Sequence, residues 1–357
     1  MRKAYLDNIR WSVILLVLVY HVCYIFNGVK IPGGIPNADN IPAFDAFACL
    51  VYPWFMVLLF VIAGMSAAYS LEKRTVRQFI RERSLKLLVP STLGLLLIHW
   101  ITGYINIKMS GGLDYIPESL IYPISALSGI GPLWFVQTLF LFSCIIAAIK
   151  KFGKSDSLRK MCSTAKTPVI LLLFIPIWGA SQILNMPLLT VYRFGIYFTA
   201  FLIGYFIFSN SKVQDRIENI CIPMTVLGTA CAAAYTVYYY GKDYTAPECL
   251  HSLFTNFYLW ISVIAIIGLS KKYFNRETKF TRYMTSAGYG IYILHYSVLT
   301  VSCYILHYYC SFPAIINYII ALVSEFIITF ALYEILKRVP VIRFLVLGLT
   351  AKKQQIN

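Results

Sequence analysis

Charged side chains are scarce in this chain. Asp, Glu, Lys and Arg make up 13% of its 357 residues, about half the fraction found in soluble proteins. Hydrophobic residues make up 59%, and the mean hydropathy is +0.69. Because a soluble fold has no use for so much apolar surface, the composition excludes a soluble globular protein. It predicts an all-α polytopic membrane protein.

Several features of common enzyme classes are also missing. The chain has no glycine-rich nucleotide loop, no soluble catalytic domain and no Cys-x-x-Cys pair among its nine cysteines. No set of residues has metal-ligand spacing, so we expect no metal. No small-residue cleavage site follows the first apolar stretch, so we expect no cleaved signal peptide. Most cysteines should be buried; Cys249 and Cys310 fall in loops predicted on one side, which leaves a disulfide between them open.

Hydropathy predicts about ten membrane-spanning helices. The predicted segments are residues 9–27, 46–70, 87–106, 132–149, 167–185, 191–209, 219–240, 251–270, 284–307 and 313–336. The weakest boundary is the turn at 185–187. The longest outer loop, 107–131, is expected to lie on the membrane or to fold back over a cavity. Residues 339–347 are too short to span and predict an interfacial amphipathic piece.

Basic residues alternate between the loops. The net charge is +16, and 27 of the 31 Lys and Arg residues fall at the two termini or in every second loop. The other four, Lys30, Lys108, Arg193 and Lys242, lie in the remaining loops. By the positive-inside rule this predicts ten spans with both termini in the cytoplasm. Since the charge follows the topology, we do not expect nucleic acid as a partner.

The first span carries an arginine and a histidine eleven positions apart, Arg10 and His21. Eleven helical steps make three turns plus about 20°, so both side chains share one face, about 16 Å apart along the axis. In a membrane, Arg10 would lie near one surface and His21 near the midplane. An ionisable residue at that depth is costly and is a functional-site hypothesis. The alternative is a histidine that only hydrogen-bonds a neighbouring helix.

Three other ionisable residues are predicted at similar depth on other helices: His295, Glu325 and His99. A neutral histidine at the midplane can accept a proton from a hydroxyl or carry an acyl group. A carboxylate, Glu325 or Asp45, could orient it. Hydrogen bonds that merely bridge helices are the alternative for each of them.

A basic stretch, residues 72–86, precedes the third span. For most of its charges, topology and contact with anionic lipid suffice as an explanation. Arg83 and Lys86 are three positions apart and share a helix face. Together with Arg10 they could form a cytoplasmic mouth for a phosphate-bearing ligand.

The ordered motifs of the chain resemble those of the integral-membrane acyltransferase family 3, from residue 5 to about residue 350. The matching stretches are Tyr5-Leu6-Asp7-Asn8-Ile9-Arg10 with His21, Phe60-Val61-Ile62-Ala63-Gly64-Met65-Ser66, residues 79–90, Leu133-Trp134-Phe135, Phe201-Leu202-Ile203-Gly204-Tyr205 and Gly290-Ile291-Tyr292-Ile293-Leu294-His295. Two positions depart from the family pattern: Ala63 replaces a serine, and Lys86 replaces an arginine. The second change keeps the charge but removes bidentate phosphate recognition.

The resemblance implies one integral-membrane acyltransferase domain over residues 1–357, with 340–357 as a short interfacial or cytoplasmic tail. It implies a multi-pass protein of the bacterial cytoplasmic membrane that takes an acetyl or succinyl group from cytoplasmic acyl-coenzyme A. The acceptor would be a hydroxyl of an outer-face carbohydrate or cell-envelope glycan. Some motif variants resemble the glucan-succinylating branch.

The resemblance also implies roles for particular residues. His21, Arg10, His295 and Glu325 would be catalytic, and Arg10, Arg83 and Lys86 would hold the phosphates of coenzyme A. Trp134, Tyr292 and Arg193 would bind substrate. For Arg193, a carboxylated donor or an acidic acceptor is the functional interpretation, and an interfacial anchor is the alternative. The sequence leaves open whether an acyl-histidine forms and whether the protein is a homodimer.

Two other functions remain open at this point. A secondary transporter would use the midplane His and Glu residues as a proton relay and would not need coenzyme A. A catalytically silent scaffold would tolerate loss of His21.

Overall fold

A computed structural model describes residues 3–29, 31, 34–35, 38–153, 155–186 and 192–349. These residues form helices and no sheet, apart from an isolated bridge between Asn185 and Arg193. The helices of six or more residues are α1 Ala4–Ile25, α2 Pro42–Lys73, α3 Val76–Met109, α4 Glu118–Ser128, α5 Leu133–Lys151, α6 Ser155–Cys162, α7 Thr167–Ser181, α8 Phe194–Phe208, α9 Ser211–Asn219, α10 Cys221–Tyr239, α11 Leu253–Tyr273, α12 Lys279–Tyr309, α13 Ala314–Leu336 and α14 Pro340–Leu345.

The prediction of an all-α polytopic membrane protein is confirmed. Among the described residues, eight helices are long and apolar enough to cross a membrane. The number rises to ten if the bent pairs α6–α7 (117°) and α8–α9 (102°) each count as one span. The cytoplasmic location of the termini remains a prediction. Of the weak boundary at 185–187, the last residue lies outside the described part.

The basic stretch before the third span is helical rather than a loop. Thr75 caps α3 with a capping box, in which its hydroxyl accepts from Gln78 N (3.3 Å) and Gln78 Oε1 accepts from Thr75 N (3.1 Å). Two π-helical turns, Ser84–Leu88 and Leu95–His99, interrupt the helix. Such turns re-aim the side chains that follow them and often occur at functional sites.

The outer segment 107–131 folds back along α3 through α4. A Cβ atom added at Gly103 would lie 1.8 Å from Ser125 O, and one added at Gly129 would lie 2.0 Å from His99 O, so the two backbones touch. After Gly131, which has φ +38°, α5 begins at Leu133. The break between α4 and α5 packs against α12, because a Cβ added at Gly131 would lie 3.0 Å from the Tyr296 ring.

The central helix α2 packs directly on α8. A Cβ at Gly64 would come within 2.0 Å of Phe201 O, and one at Gly204 within 2.1 Å of Val61 O. Small residues at such crossings let helix backbones approach, which is a principal source of association in lipid. Helices α10 and α13 lie at the periphery and expose apolar side chains.

The tail is partly built into the bundle. After α14, Leu349 N bonds Arg343 O (3.0 Å) and Gly348 N bonds Phe344 O (3.2 Å), with Gly348 at φ +62°. The bond of Gly348 to Phe344 O, with Gly348 in the left-handed conformation, is that of an αL C-cap. It tucks the buried Leu347 against α12. Residues 350–357 lie outside the described part of the chain.

Cys249 and Cys310 are both free thiols in the structure. Cys249 is buried, and its sulfur lies 2.9 Å from the hydroxyl oxygen of Tyr235.

Candidate active site

Two histidines from α1 and α12 meet in the interior. His21 Nδ1 lies 3.0 Å from His295 Nε2, and their rings are stacked with centroids 5.1 Å apart. His295 is fully buried, whereas His21 keeps some exposed surface. The two midplane histidines that the sequence singled out on separate helices therefore form one pair.

A backbone carbonyl fixes the hydrogens of this pair. His295 Nδ1 lies 2.6 Å from Tyr292 O. A carbonyl only accepts, so His295 Nδ1 must donate, and in the neutral ring its Nε2 is then an acceptor. His21 Nδ1 must donate to that nitrogen, which leaves the lone pair of His21 on Nε2. We assign this tautomer from the hydrogen-bond network, and it makes His21 Nε2 the free base of the pair.

Aromatic rings surround His21. Its ring lies 4.9 Å from that of Tyr296, 5.3 Å from Tyr20 and 6.2 Å from Tyr24. The Tyr296 ring also touches the break between α4 and α5, because a Cβ at Gly131 would lie 3.0 Å from it. The imidazole thus has edge contacts that restrict its rotation while leaving part of its surface accessible.

A cavity of about 820 Å³ opens beside Arg10. Its polar end is strongly basic: the charged residues of its lining are Lys3, Arg10, Lys73, Arg74, Arg83, Lys86, Asp7 and Glu82. Its lining also includes apolar and aromatic residues, among them Phe135 and Tyr292. Tyr292 is one helical turn before His295 and supplies the carbonyl that orients it, so the cavity wall comes within one helical turn of the histidine pair, although neither histidine lines the cavity.

Arg10 is held in place by two acceptors on the cavity wall. Its guanidinium donates to Asp7 Oδ1 (2.6 Å) and to Ser66 Oγ (2.8 Å). Ser66 was not predicted as a site residue. The sequence feature that could have identified Ser66 is its place in the family-like stretch 60–66, two residues after Gly64.

Arg83 and Lys86 both line the cavity, as the spacing predicted, but their partners differ. Lys86 Nζ is paired with Glu82 Oε1 at 2.7 Å. Arg83 makes no salt bridge with any described residue and lies over the Phe79 ring at 5.1 Å. Arg83 is therefore the cation with more capacity left for an incoming anion.

A family model described as an acyltransferase domain, that of acyltransferase family 3, matches residues 3–334. The chain belongs to acyltransferase family 3. It is therefore a multi-pass membrane acyltransferase that transfers groups other than aminoacyl groups. No curated protein and no solved structure matches it.

In this acyltransferase, Tyr292 and Trp134 occupy different positions. The Tyr292 hydroxyl donates to Pro132 O (2.8 Å) at the start of α5, and its ring faces the cavity. Trp134 packs on Tyr197, with ring centroids 5.4 Å apart. Phe135, rather than Trp134, is the residue of that motif on the cavity wall. Substrate contact by Trp134 remains a prediction.

The two candidate carboxylates of the acyltransferase do not touch the histidines. Asp45 accepts from Gly28 N (3.1 Å) and from Asn40 Nδ2 (2.8 Å), so it anchors the loop after α1. Glu325 is fully buried on α13, and neither of its oxygens has a partner among the described residues. The orienting group that contacts His21 is His295, and a catalytic role for Glu325 remains a prediction.

His99 lies at the second π-helical turn of α3. Its Nδ1 is 3.4 Å from Ser297 Oγ, and its Nε2 has no partner among the described residues. Ser297 also accepts from Thr102 Oγ1 (3.0 Å). This polar cluster joins α3 to α12, in accord with the helix-bridging interpretation of His99.

Arg193 lies at the start of α8, away from the cavity. It is 3% exposed, and its Nη2 donates to Leu250 O at 3.3 Å. An interfacial anchor would keep its charged end in water. The burial of Arg193 does not fit that interpretation.

Proposed function

We propose that this protein moves an acetyl or succinyl group from acyl-coenzyme A to a hydroxyl of a carbohydrate on the opposite side of the membrane. The observation that carries the proposal is the His21–His295 pair beside Tyr292, which lines a cavity with many basic residues and whose ring lies 5.6 Å from that of His295. Acyl-coenzyme A fits such a cavity because it combines phosphates at one end with an uncharged pantetheine arm and thioester group at the other.

The basic mouth suits the phosphates of the donor. Arg83 has no carboxylate partner among the described residues, and Arg10 spends only part of its five donors on Asp7 and Ser66. Guanidinium groups bind phosphate in a bidentate fashion. Lys86 adds charge but is shared with Glu82. The apolar end at Phe135 and Tyr292 would receive the pantetheine arm and direct the thioester towards His21.

His21 Nε2 then acts as general base. It accepts the proton of the acceptor hydroxyl while the hydroxyl oxygen attacks the thioester carbonyl carbon. The tetrahedral intermediate collapses, the carbon–sulfur bond breaks, and the thiolate takes the proton back from His21 Nε2. The products are an ester and free coenzyme A, with no net change in protons. His295 Nε2 accepts the hydrogen bond from His21 Nδ1. This bond holds the His21 imidazole in orientation and stabilises the imidazolium that forms.

A carbohydrate acceptor is consistent with the rings around His21. The rings of Tyr20, Tyr24 and Tyr296 pack around His21, and aromatic rings of this kind suit contact with the apolar face of a sugar ring. Together with the family resemblance, they support a sugar hydroxyl as the nucleophile.

The test is release of free thiol from acetyl- and succinyl-coenzyme A by the purified protein in liposomes. We expect release by the wild type in the presence of a membrane extract that contains the acceptor. His21→Ala should lower the rate by about 10³-fold or more. His307→Ala is the matched control, since His307 lies twelve positions further along α12. If the wild type neither binds nor turns over either donor, the proposal is wrong.

One observation favours the second candidate, a proton-coupled transporter. A buried glutamate whose two oxygens lack partners, such as Glu325, is typical of a proton carrier in the membrane. Uptake of a solute driven by a pH gradient in liposomes without coenzyme A would support that function. Thiol release that depends on His21 would exclude it as the main activity.

A further inference from the structure

Arg193 is a buried positive charge with few partners. Its guanidinium donates to Leu250 O and is hydrogen-bonded to the Tyr197 side chain, whereas its buried Nε has no partner among the described residues. A buried charge is costly unless it is paired and hydrogen-bonded. The Nε–H donor of Arg193 is thus left unused.

No carboxylate forms a salt bridge with Arg193 among the described residues, although Asp243 and Glu248 lie within electrostatic reach of some of the same side chains as Arg193. All 15 Asp and Glu residues lie within the described part of the chain. The salt bridges formed there involve other cations. The neighbouring His251 cannot compensate it either, because an imidazole is either neutral or positive. Arg193 therefore has no direct ion-pair partner within the protein, and a carboxylate of a substrate would supply one.

The position of Arg193 connects it to the histidine pair. Arg193 lies within electrostatic reach of Tyr52 and Tyr197. The Tyr52 ring is 6.0 Å from that of Tyr20, and the Tyr20 ring is 5.3 Å from that of His21. Two ring contacts thus separate His21 from Tyr52, which lies near the Arg193 guanidinium. A substrate that reaches His21 from this side would bring its own polar groups close to Arg193.

We propose that Arg193 binds a carboxylate carried by one of the two substrates, and so selects for an anionic substrate. The carboxylate is either the free end of a dicarboxylic acyl group or an acid group on the acceptor. A planar guanidinium with free donors matches a carboxylate in geometry and charge. This inference rests on the proposed acyl transfer for its meaning, but the binding site can be tested without turnover.

The first experiment measures binding by thermal denaturation of the full-length protein in detergent at constant ionic strength. Succinate and glucuronate are compared with their uncharged counterparts, succinamide and glucose. The variants are Arg193→Lys and Arg193→Gln, and the matched control is Lys242→Gln, an exposed cation predicted on the same side. We expect a saturable rise in Tm with at least one carboxylate and not with its uncharged counterpart. Arg193→Gln should abolish this rise, and Lys242→Gln should preserve it.

If Arg193→Gln does not fold, the comparison of the wild type with Arg193→Lys tests the proposal. Lysine keeps the charge but lacks the paired donors of a planar guanidinium, so we expect the half-saturating carboxylate concentration of Arg193→Lys to be about tenfold higher. Equal effects of carboxylates and their uncharged counterparts on the wild type would overturn the proposal. So would a carboxylate response in Arg193→Lys that equals that of the wild type.

A second experiment identifies the source of the carboxylate. If the acyl group carries it, Arg193→Gln lowers kcat/KM at least about tenfold more for succinyl- than for acetyl-coenzyme A. If the acceptor carries it, the loss is similar for both donors and larger with an acidic acceptor than with a neutral one. Equal losses for all four donor–acceptor pairs would overturn the selective role. Failure of the wild type to turn over any donor would count against acyl transfer and leave the binding result intact.

Discussion

One backbone carbonyl, Tyr292 O, determines which nitrogen of His21 can act as a base. It accepts from His295 Nδ1, so His295 Nε2 accepts from His21 Nδ1, and the free lone pair of His21 lies on Nε2. In hydrolases with a catalytic triad, a carboxylate fills the position that His295 fills here. A neutral imidazole stabilises the imidazolium less than a carboxylate would. In exchange, no extra charge is buried at membrane depth, where a charge is costly.

Replacing His295 should therefore damage the chemical step more than donor binding. We expect His295→Ala to lower kcat by about 10²- to 10⁴-fold, because His21 loses its fixed tautomer and orientation. The KM for acyl-coenzyme A should change little, since His295 is not part of the cavity lining. Steady-state kinetics with both donors measure the two parameters. His307→Ala on the same helix is the control, and wild-type kcat in His295→Ala would refute the orienting role.

Arg83 should act on the donor instead. We expect Arg83→Gln to raise the KM for acyl-coenzyme A about tenfold, since a charge-assisted bond to phosphate is lost. Because the bond is ionic, the KM of the wild type should rise with salt more steeply than that of the variant. The control is Arg81→Gln, which removes an exposed arginine outside the cavity lining. Equal KM values for Arg83→Gln and Arg81→Gln would contradict a phosphate contact at Arg83.

The motif glycines serve helix packing rather than chemistry. Gly64 and Gly204 belong to two of the stretches that carry the family resemblance, and in the structure they form the reciprocal backbone contact between α2 and α8. Gly290 likewise faces the Tyr333 ring, which a Cβ would approach to 2.6 Å. A motif match by itself does not separate such packing positions from reacting ones.

Gly64→Val should consequently unfold the protein rather than alter its kinetics. Its side chain would enter the backbone of α8, and overpacking of this kind costs about 3 kcal/mol or more. We expect a lower Tm and less monodisperse protein on size-exclusion chromatography. Gly179→Ala is the control, because nothing lies within 4 Å of a Cβ at that position. A Gly64→Val protein as stable as Gly179→Ala would show that α2 and α8 are not in backbone contact.

Local patterns predicted the helices well because length, apolarity and alternating charge are local signals. They placed each of the ten predicted segments on a helix, and the i, i+3 spacing placed Arg83 and Lys86 on one cavity. Such local patterns could not predict which residues of different helices contact each other. The sequence offered Glu325 or Asp45 as the orienting group, whereas His21 contacts His295, 274 positions away. Ser66 was missed for the same reason, since its bond to Arg10 joins α1 to α2.

The histidine pair lies between two unlike regions of the helix bundle. The basic cavity at Arg10 and Arg83 lies on the side to which most Lys and Arg residues were assigned. Tyr20 and Tyr52 connect His21 through ring contacts to the neighbourhood of Arg193, which was assigned to the opposite side. The proposed transfer needs the donor to approach His21 from the first side and the acceptor from the second.

The most direct measurement is acyl transfer across sealed liposomes that contain the protein in one orientation. Radiolabelled acyl-coenzyme A is added on one face and the acceptor extract on the other, and the labelled ester is counted. We expect ester only when the donor is on the face of the basic cavity and the acceptor is on the opposite face, and none with His21→Ala. Ester formed when both substrates share one face, or formed by His21→Ala at the wild-type rate, would contradict transfer through the histidine pair.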